Sequence, residues 1–260
     1  MKKPLVASYG IGQDSTAMMF EFLRRGIRPD KIQSADTGIR DAEKPETYEH
    51  ADRMDALFRK WWGIGIDWCR TAGMYKGLED NCLQKAMLPS KAYGRSSCSD
   101  KYKHQPMMMD LKRSPLTIPG VKWTRAIGYN ASESHRVKYY DHKDFDEWYP
   151  LVEWQITRAE VRRICLDNLG YIPIKSACFF CPSSKAWEVR WLGKHHPELA
   201  ARAVAMERAA MPNLINIKGL GRHWSWESVL AADENQIDMY NDPDPLPCMC
   251  FDGDDGEDEE

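Results

Sequence analysis

The chain has 260 residues, 43% of them hydrophobic, which suits one large domain or a domain with a sizeable extension. No run of about 18 apolar residues occurs, which excludes a helical membrane span; the apolar part of MKKPLVASYG is too short for a secretory leader, so a cytoplasmic location is expected. The net charge of −3 is uneven, with seven acids in the last nine residues, DGDDGEDEE, and eleven Lys or Arg against three Asp or Glu over residues 85–138. The tail, 251–260, reads as an acidic disordered end. The basic stretch reads either as a solvated face or as an anion-binding one.

The hydrophobic spacing predicts a strand over 4–9, PLVASY, and a helix over 15–25 that stops at Gly26. A second strand follows at 31–36, a helix with Pro at its start at 45–62, and a third strand at 63–69. A β-α-β-α-β opening implies a parallel sheet with crossover helices. A fourth strand is expected at 122–128, and helices at 157–169, 184–193 and 197–210. After Asn241 the composition turns to Pro and Asp, which reads as irregular. The expected fold class is α/β, a Rossmann-like parallel sheet flanked by helices with a mainly helical C-terminal extension. The expected domains are 1–150, an α/β nucleotide-binding domain, and 151–250, a helical part.

Ligands of open parallel sheets sit at the carboxyl ends of the strands. The segment SYGIGQDST, 8–16, lies there. Gly10 and Gly12 let backbone N–H groups approach an anion, and the start of the next helix adds partial positive charge. Ser15 and Thr16 supply hydroxyls. Asp14 repels phosphate, so it either caps the helix or holds Mg²⁺ between phosphates. The spacing fits neither a Walker loop, which needs Gly-Lys-Ser/Thr, nor GxGxxG, because Ser15 stands where the third Gly would be.

Gly10-Ile11-Gly12-Gln13-Asp14-Ser15 resembles the PP-loop, SGGxDS, of the adenine nucleotide alpha hydrolase superfamily. Gly10 replaces its leading Ser, Ile11 its first Gly, and Gln13 its frequent Lys. ADTGIRDAEKPETYEH, 35–50, resembles a segment of phosphoadenosine phosphosulfate reductase-like proteins, and IGYNASESHR, 127–136, resembles the family element that follows the fourth strand. The resemblance covers residues 5 to 250 and implies ATP and Mg²⁺ as ligands. On it, Ser8, Tyr9, Gly10, Gly12, Gln13, Asp14, Ser15, Thr16, Asp36, Thr37, Gly38, Gly128 and Glu133 are expected to bind the nucleotide. Asp14, Ser15, Lys101 and Arg136 are expected to serve the reaction, Arg136 taking a phosphate with Glu133 orienting it from three residues away.

The eight cysteines are 69, 82, 98, 165, 178, 181, 248 and 250. In a cytoplasmic chain they do not form a disulfide framework. CFFCP, 178–182, places two thiolates for a metal, a cluster or a redox pair. SCSDKYKHQP, 97–106, resembles the Cys-Cys element of assimilatory sulfonucleotide reductases, whose later Cys-x-x-Cys shares a 4Fe–4S cluster with it; Ser97 stands in place of the first Cys. The implied ligands are Cys98, Cys178, Cys181 and Cys250, with Cys248 as competitor for the fourth place. Zn²⁺ on the same thiolates is the alternative. Cys69, Cys82 and Cys165 are expected in the core.

Three functions follow. The first is an ATP-dependent enzyme releasing pyrophosphate to activate an acceptor, a nucleic acid or nucleotide, for iron–sulfur-dependent sulfur transfer. The second is a sulfonucleotide reductase using a Cys248/Cys250 nucleophile. The third is a non-catalytic nucleotide-binding protein with structural zinc. Candidate partners are the adenine nucleotide, a nucleic acid, a sulfur-donor protein and a second copy of the chain.

Overall fold

Short apolar runs ending at glycine or a polar turn lay down parallel strands, and helical spacing between them supplies the crossovers. The computed structural model describes residues 2–232 apart from 72, 74, 90, 93, 94 and 140. The chain opens with β1 (Leu5–Ser8), α1 (Gln13–Arg24), β2 (Lys31–Ala35), α2 (Pro45–Trp62) and β3 (Ile66–Cys69). It continues through α3 (Leu78–Gln84), a two-residue hairpin β4 (Lys91–Ala92) and β5 (Arg95–Ser96), α4 (Ser97–Ser99), a π-helical turn Asp100–His104 and α5 (Gln105–Arg113). Then come β6 (Trp123–Ile127), a 3₁₀ turn Ala131–Arg136, β7 (Phe145–Trp148), α6 (Pro150–Glu153) and α7 (Arg158–Leu169). The last described helices are α8 (Ala186–His195), α9 (Pro197–Ala210) and α10 (Trp226–Ala231).

The five long strands form one sheet in the order β3-β2-β1-β6-β7, and every pairing is parallel. The α/β class expected from the sequence is therefore the observed one. β1 is central, and its register pairs Ala7 with Ile32 on one side and with Ala126 on the other. Alternation along β1 divides its side chains between two cores. Leu5 and Ala7 join Met18, Phe22, Phe58, Val161 and Cys165 on the side of α1, α2 and α7. Val6 joins Leu111, Trp123 and Phe145 on the side of α5. The expected core cysteines 69, 82 and 165 are all buried.

Two corrections concern boundaries. α1 begins at Gln13, not Ser15, because Gly12 is extended and caps it; Asp14 and Ser15 thus lie in its first turn. It stops as expected, with Gly26 left-handed at φ +67° and the Ile27 N–H donating to the Phe22 carbonyl at 2.8 Å. α7 starts at Arg158, after a capping box formed by Thr157 and Glu160, and ends at left-handed Gly170.

The described chain forms two compact units that interleave in sequence, whereas the sequence reading placed one boundary near residue 150. The first takes residues 1–35, 46–70 and 105–176 and contains the sheet, so α6 and α7 belong to it. The second takes 36–45, 71–104 and the chain from 177. Its core is helical: Leu78 and Cys82 of α3, Phe179 and Phe180, Val189 and Leu192 of α8, Ala203 and Met206 of α9, and Trp226 of α10. No helix among the described residues is long and apolar enough to cross a membrane. The acidic tail, Cys248 and Cys250 lie outside the described residues.

Candidate functional site

In the sheet order β3-β2-β1-β6-β7 the chain moves outward from β1 to β3, then returns to β1's other side at β6. This reversal is a topological switch point, where the loops leaving two neighbouring strands part and open a crevice. The loop after β1 is Tyr9–Gly12. The loop after β6 begins at Gly128.

The first loop is held tightly. Ile11 adopts φ +63° while buried, a left-handed conformation that strains a β-branched residue. No side chain caps the N-terminus of α1, and the Gly12 carbonyl receives the Thr16 N–H at 3.0 Å and the Ser15 hydroxyl at 3.2 Å. The first N–H groups of α1 have no intrahelical acceptor, and the helix dipole makes that end attractive to an anion. The Gln13 side chain is buried, and its Oε1 has no hydrogen-bond partner among the described residues.

The second loop presses against the first. A Cβ on Gly128 would lie 2.9 Å from Ser15 Cα and 3.0 Å from Ser15 N, so only glycine fits there. Asn130 is wholly buried; its Nδ2 donates to Asp14 Oδ1 at 3.0 Å, and its Oδ1 accepts the Ser132 N–H at 2.9 Å. The start of α7 is tied in as well: the Ala131 N–H donates to the Ile156 carbonyl at 2.7 Å, and the Arg158 N–H to Ser132 Oγ at 3.3 Å. Arg136 Nη1 donates to Glu133 Oε2 at 2.9 Å, the expected pairing, and its guanidinium lies 4.3 Å over the Tyr129 ring. Arg158 Nη1 sits 3.7 Å from the other Glu133 oxygen.

Burial pushes the Asp14 carboxyl above the usual carboxylate range, against the Asn130 hydrogen bond and the charges of Arg158 and Arg136. Burial likewise raises Glu133, opposed chiefly by Arg136. A half-buried carboxylate beside uncapped amides suits a divalent cation brought in on phosphates, since Mg²⁺ needs one or two protein carboxylates and takes the rest of its shell from phosphate and water.

Two of the expected ligand groups face inward. The Tyr9 hydroxyl lies 3.1 Å from Thr16 Oγ1 and 3.1 Å from His50 Nε2, and Thr16 Oγ1 lies 2.9 Å from the same nitrogen. His50 Nδ1 continues the chain to the Tyr171 hydroxyl at 2.9 Å. The hydroxyls of Tyr9 and Thr16 therefore brace the loop from the core. Ser8 Oγ accepts from Arg125 Nε at 3.1 Å. Sequence reasoning missed Asn130, His50, Arg125 and Arg158. Asn130 alone left a signal, as the polar residue opening the NASESHR turn.

The remaining expected residues belong to the second unit. The Asp36 carboxylate accepts from the Gly38 N–H at 3.1 Å and the Arg40 N–H at 2.9 Å, so it braces a turn in which Ile39 and Arg40 are left-handed. The Thr37 carbonyl accepts the Leu78 N–H, and its Oγ1 lies 3.1 Å from Cys178 Sγ. Cys178 and Cys181 are buried in one turn, closed by the Cys181 N–H donating to the Cys178 carbonyl at 3.0 Å. Cys98 packs half-buried against the same helical core. Lys101 is exposed, 5.5 Å from the Tyr102 ring centroid.

A 4Fe–4S cluster or zinc ion is implied by the resemblance, and the described residues do not fit it by themselves. Among them, no group of three or more His, Cys, Asp or Glu side chains is placed to hold a metal ion. Among the described residues Cys98 thus does not complete a three-ligand set with Cys178 and Cys181.

Comparison with protein families finds no matching family, and comparison with curated proteins finds no match. Among solved structures, the chain is similar to the U34-tRNA thiolase NcsA from Methanococcus maripaludis with its 4Fe–4S cluster. The two share 14% identity over 96% of this chain and 80% of that one, with a TM-score of 0.44.

Proposed function

We propose that this chain is a PP-loop ATP-binding enzyme that breaks ATP between the α and β phosphates to activate an acceptor. The observation that supports it most is the Asp14–Asn130 hydrogen bond, which joins the two loops of the switch point beside the uncapped start of α1. Polyphosphate oxygens would accept from the amides of Gln13, Asp14 and Ser15, and Asp14 would hold the Mg²⁺ that offsets their charge. An acceptor oxygen attacks the α-phosphorus and gives up its proton; the bond to the bridging α,β oxygen breaks, and pyrophosphate leaves. The protein contributes alignment and charge, without a covalent intermediate on its own residues. Transfer of sulfur to the activated acceptor, with a nucleic acid or nucleotide as that acceptor, rests on the sequence resemblance and on the buried thiols of CFFC.

The test is product analysis with Mg·ATP and a mixed RNA and nucleotide acceptor pool. The expected products are pyrophosphate and the adenylylated acceptor, with AMP where water displaces it, all lost in Asp14→Ala. Orthophosphate with ADP, or pyrophosphate release that survives Asp14→Ala, contradicts the proposal.

A further inference from the structure

The register of the sheet sets Ser8 of β1 beside Ile127 of β6, and Ala126 of β6 beside Trp148 of β7, so the chain leaves all three strands at one edge. Three tyrosines belong to the segments that follow. Tyr129 stands between Gly128, which presses on Ser15, and Asn130, which holds Asp14. Tyr149 directly follows β7, and Tyr139 lies in the connection between β6 and β7. If the proposed function holds, on which this inference rests, an acceptor has to be delivered to the edge where α1 begins.

The three rings are in contact. Tyr129 and Tyr149 stack with centroids 5.6 Å apart and planes inclined by 18°. Tyr139 meets Tyr149 edge to face, at 5.5 Å and 84°. The two inner rings are anchored. The Arg136 guanidinium lies 4.3 Å from the Tyr129 centroid, and the buried Tyr149 has its hydroxyl 2.8 Å from the Lys138 carbonyl and 2.9 Å from Glu147 Oε2. Tyr139 differs. It is 76% exposed, so its ring adds little to the core, while its contact with a fixed neighbour limits how it turns. Lys138 and Asp141 beside it are exposed too, and the Asp141 carboxylate is matched by Lys122 at 2.9 Å. One ring among charged groups is not the contiguous apolar patch that a protein partner needs. It suits a nucleotide unit of an open strand, which offers a flat π face to the ring and a phosphate to a neighbouring lysine. The openness also argues against the adenine of ATP, because small-molecule sites enclose most of their ligand.

We infer that Tyr139 is a stacking platform for an unpaired base of a single-stranded nucleic-acid acceptor, and that Tyr149 and Tyr129 are positioning residues that hold the platform against the sheet. The ring contacts run from Tyr139 through Tyr149 to Tyr129, whose chain neighbours touch Ser15 and Asp14. Stacking is tolerant of sequence because every base has a π face, so Tyr139 contributes affinity and placement and does not select the base.

The experiment measures, by fluorescence anisotropy, the binding of short labelled RNA and DNA strands, each made intact and fully abasic, to wild type, Tyr139→Ala and Tyr139→Phe. A thermal melt and an Mg·ATP titration accompany each protein. Tyr139→Ala is expected to weaken the intact strand about tenfold, the loss of one base–aromatic stack, and to leave the abasic strand, Mg·ATP and the melting temperature as in wild type. Tyr139→Phe should bind the intact strand as wild type does. A base-dependent loss with either sugar supports the inference, and the tighter sugar tells RNA from DNA. Equal weakening of intact and abasic strands, no weakening at all, or a matching loss of Mg·ATP affinity in Tyr139→Ala overturns the inference while leaving the proposed function standing. A wild type that binds Mg·ATP and neither strand does the same. Failure of the wild type to bind Mg·ATP overturns the proposed function, and with it the acceptor role of any strand that binds.

Discussion

His50 shows how one side chain can set the shape of a loop it does not belong to. It is buried behind the first turn of α1, where burial drives its pKa from 6.5 down to about 4. The ring is therefore neutral at pH 7, and its two nitrogens meet hydroxyls of Thr16, Tyr9 and Tyr171. The unfolded chain takes up a proton near pH 6.5, whereas the folded one resists until about pH 4. The stabilisation is thus full above pH 6.5 and is lost as the pH falls toward 4, by about 3 kcal/mol in all. Urea titrations at pH 7, 5.5 and 4 should show this loss in wild type and not in His50→Gln; parallel curves for the two proteins would refute it. Gly128 makes a second test at this scale. An added methyl would collide with Ser15 backbone, so Gly128→Ala should displace the start of α1, costing about 1–3 kcal/mol of stability and weakening ATP binding. Unchanged melting and affinity would show that the two loops are not in register as described.

At the scale of elements, α9 and α10 are joined by one buried carboxyl group. Glu207 is fully buried and accepts backbone N–H groups from Leu220 at 2.6 Å, Trp226 at 2.8 Å and Glu227 at 3.1 Å. Two of these are the otherwise unpaired first amides of α10, a helix too short to hold itself together. Glu207→Ala should strip all three and destabilise the second unit by about 3–5 kcal/mol, followed through the fluorescence of buried Trp226; a loss under about 1 kcal/mol would deny Glu207 that role. The βα repeats around β1 were legible in sequence because buried parallel strands read as plain apolar runs between helices of clear period. β7 was not: only Phe145 of its four residues is buried, as an edge strand allows. The helical stretch around Cys98 hid behind mixed composition and a π-helical turn. The glycine turn of the site was readable because loop and helix adjoin. His50 was not, since it reads locally as an ordinary helix residue and meets the loop only once the sheet has formed.

For the whole molecule, the basic run that looked continuous in sequence is divided by the fold. Residues 85–104 fall in the second unit and 105–138 in the first, where Arg125 and Arg136 are buried and Lys122 pairs with Asp141 at 2.9 Å. The run is thus partly structural. Ligand linkage gives a global readout of the proposed nucleotide site at Asp14. Mg·ATP at about a hundred times its dissociation constant should stabilise the protein by about 2.7 kcal/mol, and Asp14→Ala should abolish the gain at the same concentration. Equal stabilisation of both proteins would move the nucleotide away from Asp14. Backbone amide shifts report the location itself: in ¹⁵N-labelled protein titrated with Mg·ATP, the amides of Gln13, Asp14, Ser15 and Gly128 are expected to move most. Shifts that spare the start of α1, or cluster elsewhere in the chain, would contradict a polyphosphate held there.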